Sequence, residues 1–443
     1  MADPAGPRPG PSAGVDLEEL RAAWRELNEV VEEIRRLPGH RDFMAAPTFD
    51  DVAAAAEHPL CYIAAADAEG LALIVRATAD GDADVEHVPL PGLTAAAVHD
   101  RVGSLLASYG EFRARGAGGH AAWAADLDAV TRWAWEAAMG DVLRHLPGAP
   151  AVTLVPGGLL GLLPLHAAWT EDARAPTGRR YALDATTIGY APNARSLTAA
   201  RAIAADRTGR ALLTVTEPRP LPARYPRMPF TALEAAVARH ALPDAPRTLD
   251  GEAATLAAVQ RGIAGADVVH LACHGFADLD RPLDSGLVLA GGEILRVRDL
   301  MAMNLRLRLA FLSACETSLP GTELPDEVVS LPTGLLQAGA AGVVASLWAV
   351  PDMVTAMVAA EFYRRWRRDG HPPARALRDA QIWVRDTTNG EKAAVWERAL
   401  DGDSGWPPGE VADALLDHVL EREPDDRDEA SIPAWAGFGH VGV

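Results

Sequence analysis

Apolar positions along this chain follow two patterns. Over residues 17–37, Leu20, Trp24, Leu27, Val31 and Ile34 recur at helical spacing, and Pro38-Gly39 stops the helix. A second short helix starts at a Thr48 or Asp50 cap and runs through Ala53 to Glu57. Residues 61–65 and 71–75 read as the arms of a hairpin joined by Asp-Ala-Glu-Gly. Residues 93–112 and 121–146 are helical, the second with Trp123, Leu127, Val130, Ala134, Ala138 and Val142 on an inward stripe that Trp135 and Met139 widen. Tryptophans in such a stripe are core residues before they are a ligand platform.

Beyond residue 150 the pattern changes. Strand-length apolar runs at 151–155, 181–190, 211–215, 267–274, 309–315 and 342–348 alternate with helical stretches at 231–242, 252–263, 331–338 and 353–368. Residues 432–443 return to a strand that would close the sheet. Continuous apolar runs suit strands buried on both faces, and their alternation with helices marks the α/β class, a doubly wound, mainly parallel sheet flanked by helices. The expected organisation is a disordered leader at 1–15, an α+β amino-terminal subdomain at 16–110, and an α/β domain at 111–443 with an insertion at 386–430. No repeat of about 34 residues is present, so helical repeats are not expected.

Two residues carry the candidate chemistry. His274-Gly275 ends one buried run and Cys315-Glu316 ends another. If the two strands are parallel neighbours, His274 and Cys315 lie together at their carboxyl ends, the edge where open α/β sheets place ligands. Strand alternation puts Val268, His270, Ala272 and His274 on one face, and Leu309, Phe311, Ser313 and Cys315 on one face of the neighbour. Cys273 then points away from His274 and is the poorer partner for an imidazole. A thiol needs a nearby base to become a thiolate at neutral pH, and histidine supplies it in cysteine hydrolases. Gly275 lets the backbone approach a substrate carbonyl, so its N–H and that of Cys315 are the expected oxyanion donors. A metal site from His270, Cys273, His274 and Cys315 is a weak rival, because His270 and Cys273 project to opposite faces.

His-Gly after one strand and Ser-Ala-Cys-Glu-Thr after the next resemble the CHAT domain family, which is related to caspases and separases. The resemblance extends to the stretch from Leu154 to Ala168 with its Pro-Leu-His turn, to Tyr190-Ala-Pro-Asn-Ala-Arg-Ser-Leu197, to Ser346-Leu-Trp-Ala-Val-Pro-Asp352 and to Trp435-Ala-Gly-Phe438, covering roughly residues 130–443. It implies a caspase-like fold and a cysteine endopeptidase acting through the His274–Cys315 dyad, held inactive until a partner or a cleavage orders its loops. Bacterial defence or signalling is the setting it implies. The rival function is a catalytically silent CHAT-fold scaffold or sensor acting by protein–protein interaction, for which the amino-terminal helices and the 386–430 segment would be the working surfaces.

Charge narrows the partners. The formal net charge is −20, which argues against general nucleic-acid or anionic-membrane binding and leaves a protein substrate and an activating protein as expected partners. Lys392 is the single lysine beside 40 arginines. Cys61, Cys273 and Cys315 cannot all pair and fit no zinc spacing; a reducing cytoplasm suits them, and no metal or organic cofactor is implied. Cys61 reads as a packed structural thiol. The first residues lack the apolar core of a signal peptide, and the most apolar window, 152–169, is interrupted by Pro156 and Pro164 and too short to span a bilayer.

The remaining candidates have two readings each. His166, in an apolar context after Pro164-Leu165, is structural before it is catalytic. Arg195 either anchors a loop or lines the substrate cleft. Asp352 either caps the helix that follows it or faces the cleft, where it would accept a basic side chain; capping is favoured. Glu316, beside the cysteine, joins Arg195 and Asp352 as a candidate substrate contact. The five-proline stretch 218–229 is a lid or a connector. Glu323, Asp326 and Glu327 form a solvated rim or take part in recognition. Residues 386–429 hold 14 carboxylates against 4 cations, read as a solvated insertion before a dock for a basic protein.

Overall fold

The structure is a computed structural model that describes residues 17–38, 43, 48–78, 83–207, 209–244, 246–314, 317–319 and 329–443. The chain divides into two compact units, Met1–Phe49 and Asp50–Val443. The main described element of the first is the helix Leu17–Arg35, on which Trp24, Leu27 and Val30 are exposed. The leader expected at 1–15 lies outside the described residues.

In the second unit the described strands are β1 (Leu60–Ala64), β2 (Gly70–Ala77), β3 (Ala83–Leu90), β4 (Ala151–Pro156), β5 (Trp169–Glu171), β6 (Arg179–Tyr181), β7 (Thr187–Tyr190), β8 (Leu212–Thr216), β9 (Arg247–Asp250), β10 (Val268–Ala272), β11 (His274–Phe276), β12 (Gly286–Val288), β13 (Ile294–Arg296), β14 (Leu309–Ser313), β15 (Gly342–Ser346) and β16 (Phe438–Gly442). Among the described residues eleven of these form one sheet, in the order β3-β2-β1-β4-β7-β16-β15-β14-β10-β8-β9. β1, β4, β7 and β16 are parallel to one another. β15, β14, β10, β8 and β9 are parallel to one another and run the opposite way. The groups meet at the antiparallel pair β15–β16, and β2 and β3 add an antiparallel edge.

Why this sheet is covered on both sides is visible residue by residue. Leu309 and Phe311 of β14, with Val268 of β10 and Val344 of β15, enter one core with the helices Thr231–Ala241 and Asp352–Tyr363. Ala310 and Leu312, with Val269, Leu271, Val343 and Ala345, enter a second core with the helices Leu256–Ala264 and Leu331–Ala338. Apolar side chains thus alternate between two helix-covered faces, and the doubly wound, mainly parallel α/β fold is established.

Several details depart from the pattern expected. The sheet continues from β4 into β1, so the division expected near residue 110 is not a break in the sheet. Residues 181–190 are not one strand: a helical turn, Ala182–Ala185, separates β6 from β7. β16 does not close an edge; it fills the centre, after a short helix Ile432–Trp435.

The acidic segment is more than a solvated insertion. Its helices Asn389–Leu400 and Gly409–Leu420 bury Trp396, Val411, Leu415 and Val419 in the first core while Glu410, Asp413, Asp417 and Glu421 stay exposed. Lys392 is fully buried and ion-paired with Glu429, which also accepts from Arg422 at 2.7 Å. Removing one partner of a buried pair costs about 3–5 kcal/mol, because the other charge is left unpaired. Lys392→Met is expected near the lower end, at about 3 kcal/mol, since Arg422 still reaches Glu429. Urea unfolding checks this against Glu410→Gln on the exposed face, expected to change stability by about 0.5 kcal/mol or less.

Candidate active site

β10 and β14 are parallel neighbours, paired from Val268↔Leu309 to Ala272↔Ser313. Counting on from that register, His274 and Cys315 each stand two residues beyond a strand's carboxyl end. The chain bends at Cys273, and His274 opens β11 in a separate three-stranded sheet, where His274 pairs with Val288 and Gly275 with Leu287. The alternation expected to carry from His270 to His274 therefore stops at Ala272. Cys273 is fully buried in the second core, whereas His274 is half-buried.

Cys315 and Glu316 lie outside the described residues, as do Glu323, Asp326 and Glu327. The residues on either side of the cysteine are tied to the end of β15. The Ala314 carbonyl accepts from the Thr317 hydroxyl at 3.1 Å and from the Ser346 hydroxyl at 2.6 Å. Ser346 N–H donates to the Thr317 hydroxyl at 3.2 Å, and Ser318 N–H donates to the Ser346 carbonyl at 2.8 Å.

The imidazole of His274 is held by a backbone group. Its Nε2 lies 2.8 Å from the Pro226 carbonyl, and the Tyr225 ring sits 5.2 Å from it at 38°. A carbonyl only accepts, so Nε2 carries a proton, and in the neutral imidazole Nδ1 is then the nitrogen with the lone pair, the arrangement a general base needs. The proline-rich stretch is thus a fixed wall of the site. Glu217 holds it by ion pairs to Arg219 and, at 3.1 Å, to Arg227. The Pro220 carbonyl accepts from Gly291 N–H at 2.9 Å, where Gly291 and Gly292 turn the chain with φ of 76° and 77°.

Asp352 does not cap its helix. Helix Asp352–Tyr363 takes Pro351 at the N-cap position with no side-chain cap, so Asp352 is its first helical residue. It lines a small cavity together with Glu234, Ser313, Ala314, Ser346 and Trp348. Burial, and then the neighbouring Glu234, push the Asp352 pKa above the usual carboxylate range, with His274 pulling the other way. Glu234 is 2% exposed, and its Oε2 is 3.2 Å from His270 Nε2. His270 Nδ1 is 3.0 Å from the Tyr363 hydroxyl, and the ring stacks on Phe311 at 4.8 Å.

Pro226, Tyr225 and Glu234 had no sequence signal as site residues beyond the length of the proline-rich stretch. Arg195 is exposed in the first turn of helix Ala194–Asp206 and is not among the residues lining the cavity beside His274. Cys61 is fully buried in β1, and burial pushes its thiol up to about 12, with Arg76 opposing.

His166 is structural. Its Nδ1 accepts from the Tyr190 hydroxyl at 2.8 Å and its Nε2 donates to the Ala436 carbonyl at 3.0 Å, tying β7 to the residues before β16.

The fold and motifs define a caspase-like α/β domain. The CHAT domain model matches residues 128–443, and the chain belongs to the CHAT domain family. Among solved structures, the Saccharomyces cerevisiae separase–securin complex at 3.0 Å resolution is similar with a TM-score of 0.57 at 10% identity, covering 97% of this chain and 32% of that one. The same complex at 2.6 Å aligns with a TM-score of 0.51 at 8% identity, covering 75% of this chain and 29% of that one. Gingipain R (RgpB) of Porphyromonas gingivalis, named an Arg-specific cysteine proteinase, aligns at 0.37 with 10% identity, over 72% of this chain and 66% of that one. The separase likeness is one of fold, and this chain spans about a third of the chains it matches. No curated protein sequence matches. Among the described residues no helix is long and apolar enough to cross a membrane.

Burial lowers the His166 pKa from 6.5 to about 4, with the Ala436 carbonyl opposing. Below pH 6.5 the unfolded chain takes up a proton that the folded one refuses, so stability falls as pH drops from 6.5 toward about 4. The loss is about 1.4 kcal/mol per pH unit from this residue. Urea midpoints measured at pH 7 and pH 5 are expected to separate less in His166→Gln.

Proposed function

We propose that this chain is a cysteine endopeptidase, a regulated bacterial protease of defence or signalling that works in the reducing cytoplasm. His274 Nδ1 takes the proton of the Cys315 thiol. The thiolate attacks the scissile carbonyl, forming a C–S bond and an oxyanion to which the Gly275 and Cys315 N–H groups donate hydrogen bonds. Collapse breaks the C–N bond as His274 returns the proton to the leaving amine. Water, deprotonated by His274, then hydrolyses the thioester and frees the thiol. The single observation that supports this reading is the Nε2 contact to the Pro226 carbonyl, which in a neutral ring leaves Nδ1 as the acceptor, on a residue two beyond the strand that runs parallel to the one leading to Cys315.

The cavity holding Asp352 and Glu234 borders Ala314, and it is read as the pocket for the side chain before the scissile bond, one of basic character. A guanidinium or ammonium there meets two carboxylates. The protein partner is proposed on the resemblance alone; the similar solved complexes hold separase together with securin.

The test is covalent labelling by peptidyl acyloxymethyl ketones that differ only in the residue before the electrophile: Arg, Lys, Leu or Asp. Labelling is expected at Cys315, strongest for Arg and Lys, and abolished in Cys315→Ala and His274→Ala. Asp352→Asn is expected to weaken the arginine probe by about 100-fold while leaving the leucine probe within about threefold, since losing one partner of a buried charge pair costs 2–5 kcal/mol. Labelling that persists in His274→Ala would sink the dyad. Equal labelling by Arg and Leu probes would sink the acidic pocket.

A further inference from the structure

Among the described residues Glu217 is the one residue other than glycine with a positive φ, of 37°. A side chain with a Cβ takes up that backbone conformation at a cost, and it persists where surrounding contacts impose it, which is why such residues gather at functional sites. Glu217 directly follows β8. Its N–H donates at 3.2 Å to the carbonyl of Ala272, which ends β10 two residues before His274. The backbone of Glu217 is thus bonded to the strand that leads to the imidazole.

Its side chain is bonded to the proline-rich stretch. The carboxylate is 15% exposed and ion-paired with Arg219, and its Oε1 lies 3.1 Å from Arg227 Nε. One carboxylate therefore closes the loop of chain from residue 219 to residue 227. Inside that loop the Tyr225 N–H donates to the Pro222 carbonyl at 3.0 Å, and the Arg224 guanidinium lies 4.8 Å from the Tyr225 ring that packs on His274. Pro226, whose carbonyl accepts from His274 Nε2, immediately precedes Arg227. Met228, immediately after it, lines the cavity that holds Asp352. Burial raises the Glu217 pKa, but the two arginines outweigh it and hold the carboxyl below its usual range, so the latch is charged at neutral pH. Arg227 is largely exposed, and a pair so open to water adds little to stability. What the pair fixes is where the neighbouring carbonyl points.

We propose that Glu217 is a positioning residue. By fastening Arg219 and Arg227 it holds the Pro226 carbonyl on His274 Nε2 and keeps Nδ1 as the basic nitrogen of the neutral ring. The strained turn lets one residue bond β10 through its N–H and the proline-rich stretch through its carboxylate. The effect on rate rests on the peptidase reading; the effect on the ring does not.

The experiment compares the full chain with Glu217→Gln, Glu217→Gly, Arg227→Gln and the double variant Glu217→Gln/Arg227→Gln. Ring-nitrogen shifts of His274, identified by their loss in His274→Gln, are read by NMR at about pH 8, above the usual histidine pKa. The parent is expected to show a protonated Nε2 and an unprotonated Nδ1, and in both Glu217 variants the two shifts are expected to draw together as the tautomers mix. Labelling by the arginine and leucine ketones is expected to slow about tenfold, and for both probes alike, unlike Asp352→Asn. The double variant is expected to be no slower than Glu217→Gln, since residues acting through one contact are not additive. Glu217→Gly also relieves the backbone strain, so its urea midpoint is expected at or above that of Glu217→Gln while its labelling is as slow. A merely structural role would not separate rate from stability in this way. Unmoved His274 shifts in both Glu217 variants would overturn the proposal, and so would parent-like labelling rates in them. A parent chain labelled by no probe would count against the peptidase reading, and the ring shifts would still decide the role of Glu217.

Discussion

The structure depends on one seam. The two parallel halves of the sheet run in opposite directions and meet where β16 lies between β15 and β7. Everything around β16 is built for close approach. A Cβ on Gly437 would lie 2.3 Å from Val350 Cγ2, and one on Gly442, at φ 101°, would lie 2.4 Å from the Ala341 carbonyl. Buried side chains satisfy the carbonyls that lead into the strand: Trp348 donates to Pro433 at 2.8 Å, Gln381 to Trp435 at 3.1 Å, and His166 to Ala436 at 3.0 Å. The seam reaches the site directly. β16 positions β15 by five pairs, and Ser346 at the end of β15 ties down Ala314, Thr317 and Ser318.

The choice of a carbonyl to orient His274 has an electrostatic consequence. A carboxylate in that place would fix the ring equally well but would also stabilise its protonated form. The Pro226 carbonyl selects the tautomer through geometry and adds no net charge. The carboxylates of the region stand instead along the cavity wall, at Glu234 and Asp352. Burial first, and then the neighbouring Glu234, raise the Asp352 pKa there.

How much of this was legible follows from burial. β10, β14 and β15 are buried at every position, so they read as unbroken apolar runs, and the candidates His274 and Cys315 were picked out from where two of those runs stop. β3 was missed because only Val88 and Leu90 are buried and its edge carries Asp84 and Glu86, which removes the apolar signal. The run at 181–190 is too short for its period to separate strand from helical turn. Asp352 was misplaced by one position, and at a helix start one position decides between capping the backbone and facing a cavity. In the acidic segment the exposed carboxylates drew attention from Val411, Leu415 and Val419, which recur at helical spacing and are buried. The Pro226 carbonyl belongs to the backbone, and no side chain announces it.

The cavity's width is itself a product of a buried polar cluster. Glu234 stands on helix Thr231–Ala241 and Tyr363 on helix Asp352–Tyr363, and both reach His270 on β10 between them. A neutral imidazole has one donor and one acceptor, so in that form donating to Glu234 obliges it to accept from Tyr363. Within this three-residue set the hydrogen bonds then have one arrangement. A fully satisfied buried network restricts the sliding of the helices it joins, whereas apolar side chains of the same volume would tolerate several packings. Asp352 opens the helix that Tyr363 ends, so the network that anchors Tyr363 also sets how far the Asp352 carboxyl stands from Glu234. The placement of Glu234 and Asp352 along the cavity is consequently a property of the core beneath them.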